Sequence, residues 1–408
     1  MLDFLVANQP LLFFGIIFTM AFGFNILLFR LNLPHVLFYL AVGVIAGNIL
    51  FSSTINSPEI QGLFHFVEIF TLGLIGFQIG TELHIRQMSQ EPKFILLLLF
   101  SNIVGSFIFT YFIVFAFTGS SLIAIILGAL STSTAPATTV GVIKKLQSKG
   151  LLTTRIQWLL ALNDVSSVAI VEAVLVISII LLGGHPSISS FAIEFGREIG
   201  IALILGLFVG LILDYIVERM DRKIEMMEIS FAIVLMTVGL AEVLHTSAIA
   251  TTMVIGAVAT NRGGDNYKDA HDLLDILMSP ILALFFILIG AKVALNDFYN
   301  PFPWLTVLYF LSRLIGKVIG SYVGATSLGI KEPMRMGLSM SLLAQGGIVL
   351  ALASRTAEIF TEHGFNQLGV TILSTIIMST ILSEIVGAFS TDFAIKKNGE
   401  HYRINEEA

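Results

Sequence analysis

Cysteine is absent from the 408 residues, and charge is scarce: Asp, Glu, Lys and Arg make up 12% of the chain. The first absence excludes disulfides, thiolate metal centres and cysteine nucleophiles. The second excludes an ordinary soluble domain, where about a quarter of residues are charged. No basic stripe is present to follow a phosphate backbone, so nucleic acid is not an expected partner. The 8 His residues lie mostly near the ends of apolar runs, with no nucleophile–His pairing evident. Hydrolytic chemistry is therefore not expected, and the chain reads as a non-enzyme that needs no cofactor.

Apolar residues dominate instead: 56% of the chain is hydrophobic, with 33 Phe and 35 Gly. Phe supplies lipid-facing bulk, and Gly lets helices approach closely. The chain reads as an all-α polytopic membrane protein whose main surroundings are lipid. Its first apolar run is not followed by a small-residue cleavage site and is expected to be retained.

Thirteen apolar spans can be drawn, at 10–29, 34–51, 63–80, 94–117, 122–143, 156–182, 199–216, 226–244, 247–260, 274–291, 304–327, 334–353 and 368–389. Placing the N-terminus outside leaves Arg197, Lys292 and Arg355 in outside loops and Arg313 and Lys317 within a span; every other Lys or Arg falls inside. That bias is the positive-inside pattern. It predicts an outside N-terminus, a cytoplasmic C-terminus and, as the expected location, a bacterial inner membrane.

Asp164 lies near the middle of the sixth span, in Leu162-Asn163-Asp164-Val165-Ser166. A charged carboxylate at that depth costs several kcal/mol unless water, a cation or a proton relieves it, which makes it a functional candidate. A buried Asp satisfied by neighbouring hydroxyls is the plainer alternative. Glu172 follows eight residues later, roughly 12 Å along a helix axis, and is a secondary candidate to line a vestibule.

Two spans carry helix-breaking chemistry. The fifth contains Ser131-Thr132-Ser133-Thr134-Ala135-Pro136, and the twelfth contains Ala344-Gln345-Gly346-Gly347. Proline removes a donor and disfavours helix at the residue before it. Irregular backbone at membrane depth is tolerated where it is buried or lines a wet cavity; ordinary kinks are the alternative. With the seventh span as a linker, the rest divides into two six-span units of opposite orientation, each broken in its fifth span. Inverted repeats with matching interruptions point to a secondary transporter with a midplane site. Thr132, Ser133, Thr134, Asn163, Asp164 and Gln345 are the candidate ion- and proton-binding residues, with Asp164 as the one charged ligand to a monovalent cation. Arg313 and Lys317, four apart on one helix face, are candidate charge partners. Glu384, in the last span, is expected to pair with one of them.

Several stretches resemble the monovalent cation:proton antiporter superfamily, on its Kef-like and NapA-like branch. Leu33–Gly47 is similar to the family's second span, Leu72–Leu83 to its third, and Phe285–Gly290 to its tenth. The resemblance implies an NhaA/NapA-like fold of two inverted six-helix repeats with crossing broken helices. It also implies a core sub-domain at about 94–182 and 304–390, a dimerisation sub-domain at about 10–80 and 226–291, and a homodimer, with the linker helix at about 199–216. The family's essential carboxylate maps onto Asp164, and the position before it, Asp in electrogenic members, onto Asn163. Its basic residue maps best onto Lys317, with Arg313 as the other candidate. Gln345-Gly346-Gly347 is similar to potassium-type relatives, but Ile348-Val349 follows where those have Glu-Phe, and Asn rather than Gln precedes the acid. The transported ion is thus Na+ or K+, exchanged for H+ by competition at Asp164, with an elevator-like core movement and an electroneutral cycle expected. A cation channel and a Na+-coupled organic anion symporter are the alternatives.

Overall fold

The structure, a computed structural model, describes residues 10–28, 35–47, 58–81, 83, 85, 91–181, 188–220, 222–244, 246–262, 278, 280–291 and 303–400. Among these residues every regular element is a helix. In chain order they are α1 (Pro10–Leu28), α2 (His35–Ile45), α3 (Pro58–Thr81), α4 (Pro92–Thr118), α5 (Ser121–Ser131), α6 (Pro136–Lys145), α7 (Leu151–Leu181), α8 (Ile188–Val217), α9 (Lys223–Val243) and α10 (Ala248–Arg262). A short apolar helix, α11, covers Pro280–Ala291. Four more follow: α12 (Pro303–Ser327), α13 (Met334–Met340), α14 (Gly347–Glu362) and α15 (Asn366–Lys397). Six of the described helices, α4, α7, α8, α9, α12 and α15, are individually long and apolar enough to cross a bilayer.

The expected spans map onto these helices with several ends shifted: the third starts at Pro58, the sixth at Leu151, and the thirteenth runs on to Lys397. The seventh begins at Ile188 rather than 199, so Arg197 belongs to α8 rather than to an outside loop. The twelfth continues as helix to Glu362, so Arg355 belongs to α14 rather than to an outside loop. The start of the tenth, before 278, lies outside the described residues.

The chain divides into two compact units, residues 1–87 with 179–296, and 88–178 with 297–408. In the first, Phe70, Leu74 and Phe77 of α3 pack with Val209 and Leu213 of α8, Val234 and Val238 of α9, and Ile255 of α10. Small residues bring backbones together there: a Cβ on Gly43 would meet the Ile287 carbonyl oxygen of α11.

The second unit contains both expected breaks. Its α4 starts with proline at the first turn and ends at Gly119, whose φ of 65° is left-handed. That conformation costs glycine least and closes the helix, with the Gly119 N–H donating to Phe115. Ser120 then caps α5 by accepting from the Ile123 N–H at 3.3 Å. Helix α4 packs against α12 almost backbone to backbone. A Cβ added to Gly320 would lie 2.3 Å from the Ser101 carbonyl oxygen, and one on Gly316 2.6 Å from that of Gly105. Close approach of this kind is what small residues give packed membrane helices.

The N-terminal end of α7 has a distant cap. The Glu400 carboxylate accepts from Leu152 N–H at 2.8 Å, Thr153 N–H at 2.9 Å and the Thr153 hydroxyl at 2.8 Å. It occupies the space a side chain on Gly150 would fill. A carboxylate at a helix N-terminus satisfies orphan donors and opposes the positive end of the dipole.

Candidate ion-binding site

The first break separates α5 from α6. Thr132 stops α5, its hydroxyl donating to Ala129 of its own last turn at 2.7 Å. Pro136, with no N–H, then opens α6 as a first-turn proline can. The second break lies between Met340 and Gly347, with Gly346 in non-helical backbone at φ −146° and ψ −139°. The two breaks touch: the Ala135 N–H donates to the Ala344 carbonyl at 3.1 Å. Both sites of helix-breaking chemistry are therefore true interruptions, and they meet.

Arg313 of α12 holds this meeting point. Its two terminal nitrogens donate to Leu343 O at 2.7 Å, Ala344 O at 3.0 Å and Ser133 O at 2.8 Å. All three carbonyls follow helix C-terminal ends, where a cation is stabilising. Lys317, one turn on, donates to Thr132 O at 2.8 Å and to Asn102 Oδ1 at 3.1 Å. Both side chains are fully buried, so snorkelling to an interface is excluded. Glu384 lies at the opposite polarity. It accepts from Thr138 in the first turn of α6, and a Cβ on Gly346, the N-cap of α14, would sit 2.5 Å from its Oε1. Glu384 was expected to pair with Arg313 or Lys317; its hydrogen bond comes from Thr138, at the positive ends of the half-helices, while Arg313 remains within electrostatic reach.

The candidate residues on α7 reach the first break. Asn163 Nδ2 donates to Thr132 O at 2.8 Å and Thr134 Oγ1 at 3.2 Å. The Thr134 hydroxyl lies 3.5 Å from Asp164 Oδ1. Asp164 is fully buried, and Ser167 one turn on donates to its carbonyl. Hence Asp164, Asn163, Thr134 and Thr132 are brought together, Thr132 through its carbonyl rather than its hydroxyl. Ser133 enters differently: its carbonyl is taken by Arg313, and its hydroxyl lies 3.4 Å from Thr134 O. Gln345 is anchored apart from them, donating to Tyr309 Oη at 2.7 Å and Leu130 O at 3.3 Å. Glu172 is not beside Asp164; its carboxylate forms an ion pair with Arg355 of α14 at 3.0 Å.

One residue of this network was not anticipated. Asn102 of α4, 1% exposed, donates through Nδ2 to Ser321 Oγ at 2.7 Å while its oxygen accepts from Lys317. A lone amide inside the apolar run Phe94–Phe117 was the available signal. Among the described residues no group of three or more His, Asp or Glu is placed to hold a multivalent metal. The oxygens of Asp164 and Thr134 are ligands of the kind that suit a hard cation.

Comparison with known proteins gives the family of the chain. The family model described as the sodium/hydrogen exchanger, transmembrane, matches residues 15–391. The chain belongs to the sodium/hydrogen exchanger family. It is an integral membrane cation:proton antiporter rather than an enzyme. No curated protein matches it in sequence. Two structures of the sodium proton antiporter MjNhaP1 from Methanocaldococcus jannaschii are similar to it. One, at pH 8, has a TM-score of 0.74 at 17% identity, covering 97% of this chain and 99% of that chain. The other, an electron microscopy map, has a TM-score of 0.75 at 16% identity over the same shares. At such identity the likeness carries the antiporter fold alone.

Proposed function

We propose that this antiporter exchanges Na+ for H+, one for one, at Asp164. The observation that carries the reading is a buried carboxylate, Asp164, set beside neutral oxygens of the first helix break. Asp164 holds either a proton or a cation, and the bare carboxylate is penalised at that depth. Exchange is thereby favoured over leak. Thr134 and Asn163 supply neutral polarity; neither adds charge. Asn163 cannot carry a proton, which favours an electroneutral cycle. The family description supports Na+ over K+.

In this reading the unit with the crossing breaks is the mobile core, and its elevator-like displacement exposes Asp164 alternately to each side. The other unit forms the contact of a homodimer. The chain sits in a bacterial inner membrane with its N-terminus outside.

The test is flux in proteoliposomes with a pH dye inside and a screen of Na+, K+ and Li+, repeated at zero and at negative potential. Na+-driven proton movement with the same equilibrium point at both potentials is expected. Voltage-following flux without proton coupling would make the protein a channel. Movement only with an added organic anion would make it a symporter. A voltage-dependent equilibrium point would reject the one-for-one cycle.

A further inference from the structure

We infer that Asn102 is a positioning residue of the transport site, acting on cation affinity through Lys317. This deepens the reading of Asp164 as the exchange site and rests on it. The Lys317 ammonium is held by two neutral oxygens, Thr132 O at 2.8 Å and Asn102 Oδ1 at 3.1 Å. The Thr134 hydroxyl, two residues from that carbonyl, lies 3.5 Å from Asp164 Oδ1, so the ammonium and the carboxylate meet the same short break. Other buried ionisable groups of the crossing are Arg313, which Lys317 feels, and Tyr309 and Glu384, both of which Arg313 feels in turn.

Asn102 is itself fixed. It is 1% exposed, and its amide nitrogen is committed to Ser321 Oγ at 2.7 Å, which leaves the oxygen turned to Lys317. Ser321 is one turn beyond Lys317 on α12. The amide thus reads two successive turns of α12 from α4. The glycine contact between these helices, Gly105 against Gly316 and Gly320, brings α4 near enough for a side chain as short as Asn to do so.

A lysine ammonium and a transported cation are both monovalent and both seek the Asp164 carboxylate. Each neutral oxygen that holds the ammonium weakens its competition for Asp164. Removing the Asn102 oxygen leaves one described acceptor, Thr132 O, and shifts the ammonium toward the carboxylate. The transported cation then has to displace a stronger competitor. The same Thr132 carbonyl also receives Asn163, so the network runs from α4 to α7 through the first break.

The test is a double-mutant cycle on the full chain, Asn102→Ala and Lys317→Ala singly and together. Two readouts are used: half-saturating Na+ for exchange in proteoliposomes, and half-saturating Na+ for the rise in thermal unfolding midpoint in detergent. We expect N102A to raise half-saturating Na+ roughly tenfold, the scale of one hydrogen bond to a charged group. That rise should exceed any fall in maximal rate and should vanish in the K317A background. No rise in N102A, or an equal rise with and without Lys317, overturns the inference, because a packing role for Asn102 would not need the lysine. Should N102A fail to fold, Ser321→Ala carries the cycle, with a smaller rise that again disappears in K317A. A wild-type chain that is stabilised by Na+ but does not exchange it for protons would overturn the function proposed above. The stabilisation cycle would still decide the role of Asn102.

Discussion

Replacing Arg313 by Lys tests whether one side chain fastens the two broken helices together. The guanidinium makes three charge-assisted hydrogen bonds, two to the second break and one to the first. Bonds of this kind are worth about 1.5–3 kcal/mol each. Lysine keeps the charge but is a single shorter point donor without the rigid fork. It is expected to retain roughly one of the three bonds, while the retained charge still opposes the helix ends. Two lost bonds less that residual attraction give a net destabilisation of about 3 kcal/mol, or on the order of 5 °C in unfolding midpoint. Tryptophan fluorescence is a suitable probe, because both Trp residues, Trp158 and Trp304, lie in the unit that contains the breaks. Arg313→Met should cost more, since it leaves three buried carbonyls without their cation. A midpoint in Arg313→Lys within about 1 °C of wild type, with exchange intact, would refute the claim that the fork holds the crossing.

Asp164→Asn should abolish Na+-driven proton movement while leaving the size-exclusion profile and unfolding midpoint close to wild type; full exchange by that variant would remove Asp164 from the site. Thr134→Ala should raise half-saturating Na+ more than Thr132→Ala or Gln345→Ala, because the Thr134 hydroxyl reaches Asp164 whereas that of Thr132 is spent on Ala129 and Gln345 is anchored at Tyr309. Equal shifts in all three, measured by Na+-dependent exchange, would show that none is a specific ligand. Gly320→Ala should destabilise by about 1–3 kcal/mol despite alanine's helix preference of about 1 kcal/mol, because its Cβ meets backbone that cannot yield; an unfolding midpoint that rises would contradict this packing. Glu400→Ala removes three acceptor contacts from the start of α7 and should cost about 1–2 kcal/mol in thermal unfolding, with Glu400→Gln recovering part of it.

Local sequence determined the parts of this protein that depend on composition and backbone chemistry. Apolar runs in a chain with 12% charge had to become buried or lipid-facing helices, since backbone groups in hydrocarbon must bond internally. Pro136 and Gly346-Gly347 favoured interruptions or kinks in them, because one lacks a donor and the others weaken the helix. Asp164, Arg313 and Lys317 were conspicuous for the same reason: charge in an apolar run is expensive wherever it ends up. The family resemblance rested on such stretches, and the match over residues 15–391 agrees with it.

Partnership was a different matter, because it joins residues far apart in the chain. Asn102 and Lys317 are 215 positions apart, and Thr138 and Glu384 are 246 apart; nothing in the period of either helix relates them. Charge alone favoured pairing Glu384 with a base. The tertiary structure instead places the acid at helix N-termini and the bases at helix C-termini, where the ends of the half-helices act as the opposite partial charges. The same holds for Thr132, which sequence chemistry offers as a hydroxyl and the fold uses as a carbonyl, because a broken helix exposes backbone oxygens that an intact one conceals.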